Sequence, residues 1–318
     1  MLPRAAWLSL LPPLLLGACR FPMPEPSALE GSADGAPDGW SWHTDKLAFP
    51  NTIHGIAGER DDLWAVGNGG LIAHHDGKGW TRHTSPTAED LQAIWGASPS
   101  DLWAVGMGGV ILRYSGGAWT QVASPVQAAL HGVWGSGAAD IWAVGAAGTV
   151  LHFDGSSWSS STEGADDLRG VHGTSADDVW AVGGDGALLH RQGGSWKTAQ
   201  GGTTRTVYGV WARASQEAWA VVAGGSVLRH DGSSWSKEDL DTGVNFRAVT
   251  GRTAASGVEV WAVGDRDRDG VIYELKGGSW QAAAGAFAGT VLKAVWVASS
   301  GEVWAAGGGG SEAFRYGP

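Results

Sequence analysis

Asp62-Leu63-Trp64-Ala65-Val66-Gly67 returns as Asp101-Leu102-Trp103-Ala104-Val105-Gly106 and again as Asp140-Ile141-Trp142-Ala143-Val144-Gly145. Four more copies centre on Trp180, Trp219, Trp261 and Trp304, and successive Trp are 39, 39, 38, 39, 42 and 43 residues apart. A near-constant period of this length marks a repeat architecture. A second Trp column follows a turn at Trp42, Trp80, Trp119, Trp158, Trp196, Trp235 and Trp280. A third holds Trp95, Trp134, Trp211 and Trp296, with Ala57, His172 and Thr250 in the other copies. The columns absorb 18 of the 20 Trp, leaving only Trp7 and Trp40.

Each copy reads as four short strands. The first is of the kind Leu130 to Gly135, and the second is the Asp-Leu-Trp-Ala-Val-Gly string. A turn of small residues follows, such as Ala146-Ala147-Gly148, then a third strand, Thr149 to Phe153. Asp154-Gly155 turns the chain into a fourth strand that carries Trp158. Short runs rich in Val, Ile and Trp and bounded by Gly are strands, and no window sustains a helical period. The second strand is apolar on both faces and must be covered on both. Repeated four-stranded units of this length predict an all-β, seven-bladed β-propeller over residues 38–318. The ends agree. The last copy stops after its third strand, at Phe314-Arg315-Tyr316-Gly317-Pro318. The first begins with a turn and a fourth strand, Asp38-Gly39-Trp40-Ser41-Trp42, with nothing before them. The N-terminal strand should therefore pair with the C-terminal blade and close the ring without a frayed edge.

Composition narrows the function classes. Of 318 residues, 52 are Gly and 20 are Trp, a pairing foreign to disordered Gly-rich tracts because Trp needs burial. Asp plus Glu number 32 against 21 Lys plus Arg, a formal charge of −11 that argues against nucleic acid. A single Cys excludes an internal disulfide framework.

Met1 to Arg4 is a short basic start, and Ala5 to Ala18 is mostly apolar, with Pro12 and Pro13 inside it. This stretch is too short to span a bilayer, so residues 1–18 read as a signal peptide. It ends Leu16-Gly17-Ala18-Cys19, which resembles the bacterial lipobox. The resemblance implies that Cys19 becomes the acylated N-terminus of an exported lipoprotein. Such a protein sits in the bacterial cell envelope, at the outer membrane or cell surface, held to the membrane by its lipid alone. Residues 19–37 are then the lipidated Cys and a Pro-, Ala- and Ser-rich flexible tether.

The turns at Asp38, Asp76, Asp154 and Asp231 resemble a shortened Asp-box, with Ser115, Gln192 and Lys276 in the other copies. The alternation of Val-Trp-Gly, Leu-Trp-Ala-Val-Gly and Asp-Gly-x-x-Trp is similar to the tectonin repeats of some propeller lectins. Both resemblances imply the fold, with the Leu-x-Gly-Val-Trp-Gly strand innermost. Neither carries an activity, because propellers host many.

Several residues look chemical. An acid precedes every second-strand Trp: Asp62, Asp101, Asp140, Asp178, Glu217, Glu259 and Glu302. Six third strands carry a base: His74, Arg113, His152, His190, Arg229 and Arg315. Across a hairpin these become same-face neighbours, so the reading is intra-blade ion pairs. Blade six departs, with Glu274 in the base position. Asp265, Asp267 and Asp269, followed by Gly270, alternate as in loops that wrap calcium, although Tyr273 and Lys276 stand where further acids would be needed. Enzyme signatures are thin, with no Gly-x-Ser-x-Gly elbow and no His-Glu-x-x-His, so a glycoside-active enzyme is the less favoured reading.

One column remains. The second position of each inner strand reads His54, Gln92, His131, Arg169, Tyr208, Arg247 and Lys293, with small or apolar residues beside it. Seven-fold geometry should gather these polar side chains at one channel mouth. Three permanent cations in a shielded cleft would attract an anionic group, with Arg169 and Arg247 forking it and Lys293 as a point charge. The reading is a non-catalytic, monomeric binding module for an envelope protein or polymer with an anionic group. The alternative is a lectin-like carbohydrate binder.

Overall fold

The computed structural model describes residues 39–318 except 165, 215–216, 241–242, 256, 284, 286 and 310–311. The expected signal segment, Cys19, the tether and Asp38 lie outside the described residues.

The chain forms seven antiparallel sheets of four strands. Blade one runs outward through Ile53–Glu59, Asp62–Gly67, Leu71–His75 and Trp80–Arg82. The first strand of each blade packs against the first strands of its two neighbours, and the seventh returns to the first, so these strands line an axial channel. Blade seven combines Val291–Val297, Val303–Gly308 and Glu312–Gly317 with Ser41–Lys46 as its outer strand. The closing register runs from Ser41 opposite Gly317 to Lys46 opposite Glu312. The expected closure is thus the observed one, and it is reinforced. Trp42 packs on Phe287 and Tyr316, with ring centroids 5.3 and 5.4 Å apart. Trp40 meets the edge of Tyr316 at 5.5 Å. The Trp296 indole N–H donates to the Gly58 carbonyl at 2.7 Å, tying blade seven to blade one.

The second strands explain why the core lies between blades. Successive side chains of a strand point to opposite faces. Leu63 and Ala65 join Trp304 and Ala306 of blade seven, whereas Trp64 and Val66 join Leu102 and Ala104 of blade two. One apolar hexapeptide therefore feeds two cores, which is why it alternates nothing polar. The Gly that ends it is fixed by space: a Cβ on Gly67 would lie 1.9 Å from the Thr52 carbonyl oxygen. In the outer turns, Asp154 Oδ1 accepts the backbone N–H groups of Ser156 and Ser157, and Asp231 does the same for Ser233 and Ser234. The Ser156 hydroxyl and then these N–H groups hold Asp154 at about 2, and the N–H groups and then the Ser233 hydroxyl hold Asp231 there. With Asp76, which accepts the N–H groups of Lys78 and Gly79, the Asp residues at the described turns are accounted for as turn chemistry.

The acid–base column forms in all six expected blades. Asp62–His74, Asp101–Arg113, Asp140–His152, Asp178–His190, Glu217–Arg229 and Glu302–Arg315 are paired at 2.6 to 3.2 Å. Each acid also steers its partner over the blade's own Trp. His190 lies flat on Trp180 at 3.7 Å and 6°, and the Arg113 guanidinium sits 4.9 Å from Trp103. Blade six solves the same problem differently. Glu259 takes Arg252 of the inner strand at 2.7 Å, and Glu274 stands opposite Trp261. Burial raises the Glu274 carboxyl above its ordinary range, and Glu259 adds to that while Lys276 opposes it.

Candidate functional site

Near the start of every inner strand is a side chain buried to 0 or 1% exposure: Ile53, Leu91, Leu130, Leu168, Val207, Phe246 and Leu292. The pairing with the second strand then slips by one residue. In blade three Leu130 faces Gly145 and Gly132 faces Val144, leaving His131 without an opposite number. The same slip occurs in all seven blades, at His54, Gln92, His131, Arg169, Tyr208, Arg247 and Lys293. Each polar residue of the column is therefore the extra residue of a β-bulge. A bulge re-aims a side chain without breaking the strand. All seven line one cavity of about 390 Å³ at the end of the channel where the inner strands begin.

The small residues beside them follow from crowding of adjacent inner strands. A Cβ on Gly170 would lie 3.0 Å from Gly209 Cα, and one on Gly55 would lie 3.1 Å from Ala93 Cα. The sequence thus alternates a buried anchor, a polar bulge residue and a small spacer, for three separate steric reasons.

The electrostatics differ from the expectation of three unopposed cations. Arg169 Nη2 lies 3.1 Å from Asp167 Oδ2, and Asp167 Oδ1 also accepts the Ala147 N–H. Arg247 Nε lies 3.3 Å from Asp265 Oδ1, and its guanidinium sits 5.1 Å from the Tyr208 ring centroid. Both guanidiniums are therefore held by acids before any ligand arrives. Lys293 makes no ion pair among the described residues, and burial, then Arg247, push its ammonium below the ordinary Lys range. His54 Nε2 is hydrogen-bonded to Asn68 Oδ1. Burial depresses His54; its Asn68 bond opposes this and Lys293 adds to it. His131 is depressed by burial and then by Arg169.

Asn68, Asp167 and Asp265 were invisible as ring partners in the sequence. Asp167 could have been found, since an Asp stands directly before the inner strand in two copies, at Asp90 and Asp167. In both it accepts a backbone N–H from the preceding blade's turn.

The Asp265, Asp267 and Asp269 stretch is a hairpin with a two-residue turn. Asp267 and Arg268 take left-handed φ of 53° and 77°, and Arg266 pairs with Asp269. Asp265 is engaged with Arg247, and Asp269 Oδ1 accepts the Gly289 N–H at 2.7 Å. The three carboxylates are not brought together, and among the described residues no cluster of three His, Cys, Asp or Glu could hold a metal ion. Of the four Tyr, Tyr114, Tyr273 and Tyr316 lie in third strands, and only Tyr208 reaches the cavity.

No protein-family model matches the chain, and no curated protein matches it by sequence. Solved structures do share the fold. YCF48 bound to D1 peptide superposes with a TM-score of 0.72 at 18% identity, covering 89% of this chain and 97% of that one. A streptogramin B lyase reaches 0.76 at 14% identity, covering 87% and 97%. The WD40 β-propeller domain of Doa1 reaches 0.69 at 13%, covering 87% and 97%. At such identities the likeness shows the seven-bladed propeller fold alone.

Proposed function

We propose that this chain is a non-catalytic binding module that engages a protein partner through the ring at the channel mouth. One observation carries the reading: seven bulges present seven polar side chains to one cavity of about 390 Å³. Bulges are over-represented beside functional sites, where they re-aim side chains. YCF48, a fold neighbour, was solved with a peptide bound, which supports the choice of a protein partner over a small substrate. The only Tyr in the cavity is capped by a guanidinium, which suits binding better than nucleophilic chemistry.

The lipobox resemblance supports a location in the bacterial cell envelope with an anchor at Cys19. Cys19→Ser should convert a detergent-phase protein into an unprocessed or soluble one, and an unchanged partition removes the anchor. For the partner, the test is a crosslinked pull-down from native envelopes with the full chain. Capture of a defined protein that competes with nothing on a glycan array supports the reading. Glycan binding without protein capture replaces it with a carbohydrate binder.

A further inference from the structure

The ring is chemically lopsided. Arg247, Lys293 and His54 stand on three consecutive blades, six, seven and one. Asp265 matches Arg247, as Asp167 matches Arg169 across the channel. Lys293 is left as the cation without an ion pair among the described residues, half-buried and beside another cation. An incoming anion relieves both its desolvation and its like-charge neighbour. Asp90 and Asp265 act on Lys293 only from beyond ion-pair distance, which leaves room for one monoanion in direct contact.

The wall below the ring is aliphatic. Two residues further along the inner strands, roughly 6–7 Å deeper, stand Ile56, Ile94, Val133, Val171, Val210 and Val295, with the more open Val249 in blade six. All seven line the same cavity, and the first six are 5 to 8% exposed because most of each side chain packs into the cores between blades. A polar collar over an aliphatic throat fits an anion on a short apolar stem.

We propose that the cavity takes a carboxylate carried on a short aliphatic stem by a protein partner, held at Lys293 Nζ, with His54 taking up a proton as the anion enters. This deepens the binding-module reading and rests on it only for the source of the carboxylate. Asn68 Oδ1 is an acceptor, so His54 Nε2 carries the proton it donates. Its Nδ1 is then the site that takes a second proton from solvent. The charged groups facing His54 are Lys293 and Asp90, the first opposing protonation and the second favouring it. Across the channel, His131 faces Arg169 and Asp167. An anion at Lys293 cancels the opposing charge, so binding and protonation of His54 favour each other.

The probes are acetate and butyrate, titrated into the full chain and followed by amide shifts of the cavity-lining Gly55 and Gly132. Butyrate should bind about four- to fifteenfold tighter than acetate, because each buried methylene contributes up to about fourfold. Binding should tighten several-fold from about pH 8 to about pH 5.5, a window above that in which the carboxylate itself protonates. Lys293→Met should abolish binding with an unchanged melting temperature, and Lys293→Gln repeats the test if Met perturbs folding. His54→Gln keeps a donor for Asn68 and should bind at pH 8 with no gain on acidification. Wild-type affinity in folded Lys293→Met, or an undiminished pH dependence in His54→Gln, overturns the proposal. So does sulfate binding where butyrate does not, which would point to a phosphate-type ligand. Butyrate needs no partner, so failure of the pull-down and failure of this site are separate results.

Discussion

Arg247 Nε and Asp265 Oδ1 lie 3.3 Å apart, joining the inner strand of blade six to the base of its hairpin. An acid that the sequence assigns to a calcium loop and a cation that it assigns to the ring belong to one pair. Asp265 is 8% exposed, and its carboxylate is buried against that guanidinium. Asp265→Asn should leave the guanidinium under-compensated and destabilise the fold by about 1–3 kcal/mol. Thermal denaturation with millimolar calcium or with EDTA should give coincident curves for the wild type. A calcium-dependent rise in melting temperature would contradict the assignment of Asp265 to Arg247.

Ring closure rests on Trp42. It reaches two rings of the closing seam, Phe287 and Tyr316. Trp42→Ala should cost about 3 kcal/mol. Trp280 holds the same position in blade six but makes no ring contact among the described residues, although it flanks the core cluster of Trp219. Trp280→Ala should therefore cost clearly less. Denaturant midpoints with equal slopes check the ranking, and the reverse order refutes this account of the seam.

Two groups give stability opposite pH slopes. Burial holds His172 at about 4, where its Nδ1 accepts the Ala212 N–H. Its folded value lies below the unfolded one of about 6.5. The unfolded chain then binds more protons between those values, so stability present above about pH 6.5 is lost as pH falls toward 4. His172→Asn offers an acceptor that does not titrate and should recover about 1–3 kcal/mol near pH 4.5. Urea melts of both proteins at matched pH measure the difference, and parallel profiles would exclude His172 as the cause.

Glu274 has the other sign. Its folded value is raised, so it contributes a penalty that appears as pH rises above about 4.5. Glu274→Gln should stabilise by about 1 kcal/mol at pH 7 and leave stability at pH 4 unchanged. An equal gain at both pH values would show that packing, not charge, is responsible.

How much was legible follows from distance along the chain. The blade count and the six ion pairs were readable because they recur at near-constant offsets, the pairs at 12 residues in five blades and 13 in the last, and the closure because the two ends are complementary parts of one copy. The polar column was readable too, because its members interrupt a small and apolar pattern. The bulge that aims them was not, since an extra residue leaves the strand's composition unchanged. The partners of the ring were also hidden. Asp265 lies 18 residues from Arg247 and Asn68 lies 14 from His54, pairings that occur once each and so leave no period. The expected anionic preference counted three cations alike, whereas two guanidiniums are already matched and Lys293 is left without an ion pair among the described residues.

The central claim is that the ring binds the partner. Its most direct measurement is the dissociation constant of the protein captured from envelopes, for the wild type and for Arg169→Ala with Arg247→Ala. Removing both guanidiniums takes two cations from the cavity and leaves Asp167 and Asp265 without their partners. The account predicts a double variant that still folds as a propeller and binds at least about tenfold more weakly. Unchanged affinity in a folded double variant would place the partner elsewhere on the molecule.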